Sequence, residues 1–596
     1  MYTIVDFKTR ELVKPTNLVF TGENGPWEVM MDMDQTRARI NQDYFRVAPP
    51  LVSKYLPFLP VKDHANFVSL KEGGTPLIKA RHIAQKLGID LWFKLEPQNP
   101  TGSFKDRGSA VDLTVAREMG AKAIVLASTG NMAASCACYA AAAGIPCFVF
   151  VPEDTPQSKL AQVISYGGHI IQVKGRYNDA ARVAQQVAEE LGFYLAGDYA
   201  FRVEGQKTAA FEICDQFFFD VPDYILVPIG CGTNIAGYAK GFKEYYDLGL
   251  IDRIPKLIGV QATGASSVVD AFQRGERDCR TLPTIDTVAT AIAVTYPLDG
   301  AKALKGIYDS HGEAHAVTDR EMLEAQYELA RSEGLFVECS CASTLAVLIK
   351  LRESGKLIGK KVVCVLTGNG LKDPSPLLKV ALKPPTIYPE VGEFLSLYEQ
   401  SFFKGKSVAF SEPNEVVFQK EPTDGEVSRY VEQYFNTRYP TQYIEHIRGS
   451  VSKFLKKGKE VTFSDFQDIV QDAIKTIESR SSNKLVVEDF EISTGKDRKP
   501  DAQVVVLVNG VKRQARASGV GPVDAVIAAL KEAGTEDQLT TDLVGYRVEI
   551  RSQGTDAVVW VELKLRREGV VSVGNGISPD IIQASIEAFV EAFNKF

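Results

Sequence analysis

The 596-residue sequence has no run of the roughly 18 uninterrupted apolar residues that a membrane-spanning helix needs. It also has no excess of basic residues, because 68 Lys and Arg stand against 75 Asp and Glu and give a formal charge of −7. Without an excess of positive charge the chain is not suited to a nucleic-acid backbone, so a nucleic acid is not expected as a partner. Without a long apolar run, a membrane is not expected either. The stretch Met1 to Arg10 is mixed and charged, unlike a signal peptide, and a cytoplasmic protein is expected.

Histidine and cysteine are scarce and poorly spaced for metal binding. The six histidines are scattered, and the nine cysteines lie between Cys136 and Cys364, mostly inside apolar runs. The close pairs Cys136/Cys138 and Cys339/Cys341 have one residue between them, which is not the usual zinc spacing. These cysteines are interpreted as small buried side chains, and no metal site is predicted.

The order of patterns along the chain predicts an α/β protein of several domains. From about Phe67 to Leu382, short β-branched runs alternate with Ala-rich amphipathic stretches, which is typical of strands and helices around a parallel sheet. Several of these strands run into Gly-rich turns, and in open parallel sheets the binding crevice lies outside the carboxyl ends of the strands. We therefore expect a catalytic or binding domain at residues 67–382, preceded by a packing arm at residues 1–66.

A Pro-rich run near Lys383 marks a boundary, because it cannot continue a helix. Residues 383–483 are predicted to be a linker and a helical subdomain, with periodic apolar positions between Arg429 and Ser479. Residues 484–596 alternate strands with two amphipathic helices and contain neither cysteine nor histidine. This last part is predicted to be a small α+β domain that binds a ligand and does no chemistry.

Lys105 is the first candidate for chemistry, in the segment NPTGSFKDRG at Asn99–Gly108. Most lysines that follow a strand are solvated surface groups. Here, however, Lys105 stands beside Phe104 just before an apparent helix, and both desolvation and a positive helix end favour a free, nucleophilic amine.

Three further segments supply polar groups at the ends of strands. Ser128 to Ser135 (STGNMAAS) and Gly230 to Asn234 (GCGTN) each open a helix whose N–H groups suit an anion, although an N-cap and a tight turn would look the same. Thr367, in LTGNGLKD, ends a buried strand and offers a hydroxyl to a ring nitrogen or to the backbone. Together with an amine, these groups are the ones that a protein needs to bind pyridoxal phosphate.

Six segments in order resemble the threonine synthase family of fold-type II pyridoxal phosphate enzymes. They are EGGTPL at Glu72, NPTGSFKDRG, STGNMAAS, GQKTAAFE at Gly205, GCGTNIAGYAKGFKE and LTGNGLKDP. The resemblance covers about Phe67 to Leu382 and implies a tryptophan synthase β-like fold with two open-sheet subdomains. It also implies conversion of O-phosphohomoserine and water to threonine and phosphate, with the cofactor as electron sink.

The resemblance implies a role for each matching residue. Lys105 would form the Schiff base and shuttle protons, Asn131 would hydrogen-bond the cofactor's 3-hydroxyl, and Thr367 would contact the pyridine nitrogen. The cofactor's phosphate would be held by Gly230, Cys231, Gly232, Thr233 and Asn234, and the substrate by Ser128, Thr129 and Arg202.

The chain departs from the family where the substrate's phosphate is bound. Met132 stands where the family usually has Thr, Cys231 where it has Asn, and Gly197 where a Ser is common. Arg202 is retained and suits a bidentate contact with phosphate or carboxylate. Losing several hydrogen bonds to a charged group, each of about 1.5 to 3 kcal/mol, weakens phosphate binding unless other residues replace them.

The C-terminal region resembles the allosteric dimerisation domain of isopropylmalate and citramalate synthases. The matching segments start at Ser518, Leu543 and Gly574, and the resemblance implies a homodimer or higher homo-oligomer that senses a branched-chain amino acid. Loops at 519–524 and 574–580 are the expected effector loops, since glycines before a helix let N–H groups meet a carboxylate. The candidate residues are Gly519, Gly521, Asp524, Gly576 and Asp580, although turns that merely connect strand to helix would look alike.

Three functional hypotheses follow. The first is a regulated threonine synthase-like lyase, since a controlled branch point needs two coupled sites. The second is a threonine ammonia-lyase giving 2-oxobutyrate, favoured by Met132, Cys231 and Gly197. The third is a non-catalytic amino-acid sensor, which the intact Lys105 and Thr367 oppose.

Overall fold

The computed structural model describes residues 2–380 and 416–595, together with positions 391, 394 and 395, with short gaps. Left out are residues 16–17, 23–24, 41–43, 45–50, 353, 436–438, 457–459, 483–484, 496–497, 509, 535–540, 551–558, 568–569 and 579. The described residues up to 395 form one compact unit and those from 416 form a second. Within these ranges, none of the helices has the length and apolar character needed to cross a bilayer.

The described residues of the first unit form twelve strands. They are β1 Tyr2–Asp6, β2 Trp27–Met31, β3 Leu77–Lys79, β4 Asp90–Leu95, β5 Ile124–Ala127, β6 Cys147–Pro152, β7 His169–Val173, β8 Tyr194–Leu195, β9 Tyr224–Pro228, β10 Lys256–Ala262, β11 Glu313–Val317 and β12 Lys361–Leu366.

Fourteen α-helices accompany these strands among the described residues. They are α1 Met33–Arg39, α2 His82–Leu87, α3 Lys105–Glu118, α4 Asn131–Ala143, α5 Gln157–Ser165, α6 Tyr177–Leu191, α7 Ala200–Gln206, α8 Thr208–Gln216, α9 Thr233–Asp247, α10 Ser267–Gln273, α11 Gly300–Asp309, α12 Asp319–Glu328, α13 Cys339–Arg352 and α14 Ser375–Val380. Short 3-10 helices cover Val52–Phe58, His64–Asn66, Glu96–Gln98, Thr263–Ala265, Thr290–Ile292 and Gly370–Lys372, and one π turn covers Leu329–Glu333.

Two open sheets organise the first unit, as predicted. The larger has the order β11-β10-β9-β12-β4-β3 and is parallel except for β3, which pairs antiparallel with β4. The smaller has the order β7-β6-β5-β8 and is parallel throughout. Buried apolar residues and flanking helices cover both faces of these strands, as parallel sheets require.

The first two strands of the N-terminal segment add apolar side chains to the core beside the smaller sheet. Strands β1 and β2 form an antiparallel pair, and Ile4 and Val29 from this pair join the core that α3 and α4 build with β5. Helix α4 is rich in alanine and is buried over most of its length, which lets it lie close between its neighbours. The segment therefore contributes apolar side chains to this core. The predicted domain limits of the chain stay predictions.

In the described part of the second unit, three helices lie in the segment predicted to be helical: α15 Asp424–Phe435, α16 Thr441–Leu455 and α17 Phe463–Ser482. A short strand pair, β13 Val416–Phe418 and β14 Val461–Thr462, lies among them. The rest consists of two copies of the same motif, three antiparallel strands followed by a helix. The first copy is β15 Leu485–Gly495, β16 Arg498–Val508, β17 Val511–Ser518 and α18 Pro522–Gly534; the second is β18 Asp542–Ile550, β19 Val559–Arg567, β20 Val570–Ser578 and α19 Ile581–Asn594.

One of these strands corrects the sequence analysis. The second effector loop was expected at residues 574–580, but Gly576 lies on strand β20 and not in a loop. Gly576 is needed there because a Cβ at this position would lie 1.8 Å from the carbonyl oxygen of Ala584 in helix α19. Glycine therefore lets the strand lie directly on the helix. In the sequence alone, this packing role looks the same as a glycine in a turn.

Candidate active site

Lys105 and Thr367 are brought side by side by backbone pairing. Lys105 is the first residue of helix α3, after strand β4 and the short helix that follows it. The Phe104 N–H donates to the carbonyl oxygen of Thr367 at 3.0 Å, just beyond strand β12. Because β4 and β12 are parallel neighbours, both residues stand at the same edge of the larger sheet, as predicted.

The Gly230–Asn234 loop joins strand β9 to helix α9 at this same edge. Gly232 precedes the helix with φ of +92°, and a Cβ there would lie 2.7 Å from the carbonyl oxygen of Asp299. Only glycine satisfies both constraints. The side-chain amide nitrogen of Asn234 is buried, and no protein atom in the described chain accepts its hydrogen bond. The loop thus presents a helix N-terminus and a spare donor, a combination suited to an anion.

Asp198 is the partner of Lys105, and the sequence analysis missed it. The Lys105 ammonium nitrogen lies 2.9 and 3.1 Å from the two carboxylate oxygens of Asp198. Burial raises the pKa of Asp198, but the charges of Lys105 and Arg202 outweigh it and hold the value below the ordinary one. Cys231, from the loop before α9, donates its thiol hydrogen to the same carboxylate, and burial together with Asp198 raises the pKa of this thiol.

Arg202 is fully buried behind this pair. Its guanidinium donates to the carbonyl oxygen of Lys105 at 3.0 Å and to the hydroxyl of Ser109 at 3.1 Å. It also lies 3.8 Å from the carboxylate of Asp112 and 3.9 Å from that of Asp198. Burial raises the pKa of Asp112 to about 6 against the pull of Arg202, so near neutral pH two cations face two carboxylates. The cluster carries little net charge.

Two of the three departures from the family, Met132 and Gly197, occupy ordinary packing positions. Met132 lies in the apolar core between α3, α4 and β5. A Cβ on Gly197 would lie 2.3 Å from the ring of Tyr199, so this position leaves no room for serine unless the ring moves. Ser128 and Thr129 lie in the turn between β5 and α4, where the Gly130 N–H lies 3.4 Å from the Ser128 hydroxyl.

Comparison with known proteins gives two family matches. Residues 68–368 match the family "Pyridoxal-phosphate dependent enzyme", and residues 460–596 match "LeuA allosteric (dimerisation) domain". A threonine synthase of Methanocaldococcus jannaschii is 45% identical over 372 residues, which are 62% of this chain and 92% of that protein. A threonine synthase of Methanosarcina acetivorans is 41% identical over 359 residues, 59% of this chain and 88% of that protein.

The chain belongs to the threonine synthase family of pyridoxal-phosphate-dependent enzymes. It is therefore a pyridoxal-phosphate-dependent lyase of threonine synthase type, fused to an allosteric domain of the LeuA class. Among solved structures, a serine racemase of maize matches with a TM-score of 0.45 and 26% identity over 50% of this chain and 88% of that one.

The residues of this threonine synthase family member fit pyridoxal phosphate. Lys105 offers an amine whose side chain is 15% exposed and therefore reachable. The buried, unpaired amide of Asn234 and the N-terminus of α9 suit the cofactor's phosphate. Thr367 is buried, and its hydroxyl lies 3.1 Å from the sulfur of Cys341. These groups lie at the ends of strands β9 and β12 and at the start of helix α3.

Asn131 and Glu338 form a second contact at this edge that the sequence analysis did not find as a pair. The Asn131 side-chain amide donates to both oxygens of the Glu338 carboxylate, at 3.1 and 2.8 Å. Burial raises the pKa of Glu338 to about 7. A Cβ on Gly368 would lie 1.8 Å from one Glu338 oxygen, so the glycine after Thr367 makes space for this acid. The only sequence signal was an acid directly before an apolar, Cys-rich helix.

The candidate effector residues serve as caps and packing positions in the allosteric domain. The carboxylate of Asp524 accepts from the Val520 N–H at 2.8 Å, and that of Asp580 caps α19 by accepting from the Ile582 N–H at 2.7 Å. A Cβ on Gly519 would lie 2.3 Å from the backbone nitrogen of Ala525, whereas Gly521 has open space around it. Effector binding at these residues stays a prediction.

Proposed function

We propose that this lyase converts O-phosphohomoserine and water to threonine and phosphate. The observation that carries the proposal is the meeting of Lys105, the Gly230–Asn234 loop and Thr367 at one sheet edge, in a chain of the threonine synthase family. When bound, the cofactor supplies an electron sink for the carbanion that forms at the amino acid's α carbon. The rest of the chemistry belongs to the protein's own groups.

Lys105 is the proton carrier in this proposal. Its Nζ atom would hold the cofactor, and in the reaction it would take the proton from the α carbon and move protons at the neighbouring carbons. Loss of phosphate from the γ carbon and addition of water at the β carbon then balance the reaction. The Thr367 hydroxyl would hold the ring nitrogen, the Asn131 amide would hold the ring hydroxyl, and the loop before α9 would hold the cofactor's phosphate. Ser128, Thr129 and Arg202 are the proposed substrate contacts.

A product assay tests this function directly. Full-length protein loaded with pyridoxal phosphate is given O-phosphohomoserine, and inorganic phosphate and threonine are quantified together. Equal amounts of both, lost in a Lys105→Ala variant, are expected. Absence of phosphate release from protein that shows the cofactor's near-visible absorbance would contradict the proposal.

The second candidate, a threonine ammonia-lyase that forms 2-oxobutyrate, is favoured by the charge of the pocket. The carboxylate of Asp198 contacts Lys105 and faces Arg202, and these cations are already neutralised by Asp198 and Asp112. Such a pocket suits an uncharged hydroxyl leaving group better than a phosphate. Formation of 2-oxobutyrate from threonine, with no turnover of O-phosphohomoserine, is the result that would select this candidate.

We further propose that the enzyme acts in the cytoplasm as a homodimer or higher homo-oligomer, and that a branched-chain amino acid regulates it through the C-terminal domain. The match of residues 460–596 to an allosteric dimerisation domain supports this. Leucine and isoleucine titrations of activity, with the oligomer measured by light scattering under the same conditions, test both parts.

A further inference from the structure

We propose that Asp198 is a positioning residue that orients the Lys105 nitrogen and stabilises positive charge on it. The residue acts through Lys105 and needs no contact with substrate. The inference rests on the proposed cofactor role of Lys105, but it holds for either of the two candidate substrates.

The contact between Lys105 and Asp198 is bidentate and joins distant parts of the chain. Both Asp198 oxygens lie within hydrogen-bond distance of the Lys105 nitrogen, at 2.9 and 3.1 Å. Lys105 comes from the start of α3 and Asp198 from the segment between β8 and α7, 93 positions further along the chain. The two side chains are 15% and 9% exposed, so little water screens the attraction.

The carboxylate is held from other directions as well. Cys231 donates its thiol hydrogen to it, and the Nε atom of Arg202 lies 3.9 Å away. Asp198 therefore keeps its place when the lysine moves between its partners. A fixed anion beside a nitrogen that changes charge during turnover stabilises the charged form without reorganising.

The titratable and charged groups facing Asp198 come from every element packed against it. They are Lys105 and Asp112 of α3, Cys136 of α4, Tyr177 of α6, Tyr199 before α7, Arg202 of α7, Cys231 before α9 and Asp299 before α11. Two of these are cations, and Lys105 is the nearer of the two to the Asp198 carboxylate by about 1 Å.

A purely structural role for Asp198, as the counter-charge of Arg202, makes a different prediction. Arg202 has a second carboxylate, Asp112, at 3.8 Å, which is no farther than Asp198. Removing either acid would then perturb Arg202 alike. If Asp198 acts through Lys105, removing Asp198 should affect the bound cofactor more than removing Asp112. Asp112 is therefore the matched control.

The experiment compares Asp198→Asn with Asp112→Asn in the full chain loaded with pyridoxal phosphate. The readout is the pH at which the near-visible absorbance of the bound cofactor changes. Loss of an opposite charge in contact is expected to move this pH down by roughly 1 to 3 units in Asp198→Asn. Asp112→Asn is expected to move it much less, and Asp198→Glu to restore most of the shift. An unchanged midpoint in Asp198→Asn, or equal shifts in both Asn variants, would overturn the proposal.

A second measurement tests the proposal even if a variant fails to bind the cofactor. In the cofactor-free chains, reductive methylation of Lys105 is followed by peptide mass spectrometry across a pH series. Faster modification of Lys105 in Asp198→Asn than in wild type and in Asp112→Asn supports the proposal, and equal rates in all three refute it. A wild-type chain whose cofactor is not attached to Lys105 would instead defeat the proposed function, and the labelling comparison would still decide the role of Asp198.

Discussion

The Asn131 side-chain amide donates to both carboxylate oxygens of Glu338, although 207 positions separate the two residues in the chain. Asn131 opens helix α4 on the smaller sheet, and Glu338 directly precedes helix α13 of the larger one. The pair therefore links the two open sheets at the edge where the proposed cofactor-binding residues meet. Because burial raises the pKa of Glu338 to about 7, the charge of this link changes near neutral pH.

Stability is predicted to depend on pH through Glu338. A carboxyl whose pKa is raised in the folded state stabilises the fold fully below its unfolded value, and that contribution is lost as pH rises through about 7. Glu338→Gln resembles the protonated acid. Relative to wild type, it should gain up to about 3 kcal/mol of unfolding free energy between pH 5 and pH 8. Chemical denaturation of both proteins at each pH measures this, and a difference that does not change with pH would contradict it.

Gly576→Ala is predicted to destabilise the C-terminal unit. The added Cβ would lie 1.8 Å from a backbone oxygen of α19, and overpacking of this kind costs about 1 to 3 kcal/mol. Gly521→Ala is the control, since its Cβ would enter open space. Thermal unfolding of the two variants should separate them clearly. Equal melting temperatures would mean that β20 does not pack on α19 as described.

Removal of Arg107 is predicted to destabilise the first unit strongly. This buried guanidinium pairs with Glu96 at 2.7 Å and with Glu212 at 2.5 Å. Arg107→Ala leaves both carboxylates without their main partner, a loss of about 3 to 5 kcal/mol. Lys243→Ala breaks an exposed pair with Asp247 and should cost no more than about 0.5 kcal/mol. Similar denaturation midpoints for the two variants would contradict the burial of Arg107.

Regulation is predicted to depend on the C-terminal domain. Leucine or isoleucine should change the activity of the full chain but not that of a version ending at residue 382, because residues 460–596 match an allosteric domain. Initial rates with and without each amino acid measure the effect, with valine and alanine as comparison ligands. An equal response in both versions would remove the effector role from the C-terminal domain.

The parts of the site that the sequence revealed are contiguous motifs. Lys105, the glycine loop and Thr367 each follow a strand, and parallel strands bring their carboxyl ends together, so their meeting was predictable. Asp198 was not predictable in the same way. It lies in no motif, and its contact with Lys105 depends on how α3 packs against the segment before α7.

The second unit shows the same division between local pattern and packing. Helices α15 to α17 have clear apolar periodicity and were predicted. Strand β17 reads VKRQARAS, with little of the β-branched character typical of strands, and β20 contains two glycines. Their pairing with β16 and β19 and their packing on helices make them strands, and local composition carries neither kind of information.

Eight of the nine cysteines are buried, whereas Cys231, in the loop before α9, is partly exposed. A thiol-directed alkylating reagent should accordingly modify Cys231 first, even though its raised pKa makes the reaction slow. Occupancy of that loop can thus be followed in the native chain by a labelling rate alone, with no substrate and no engineered probe.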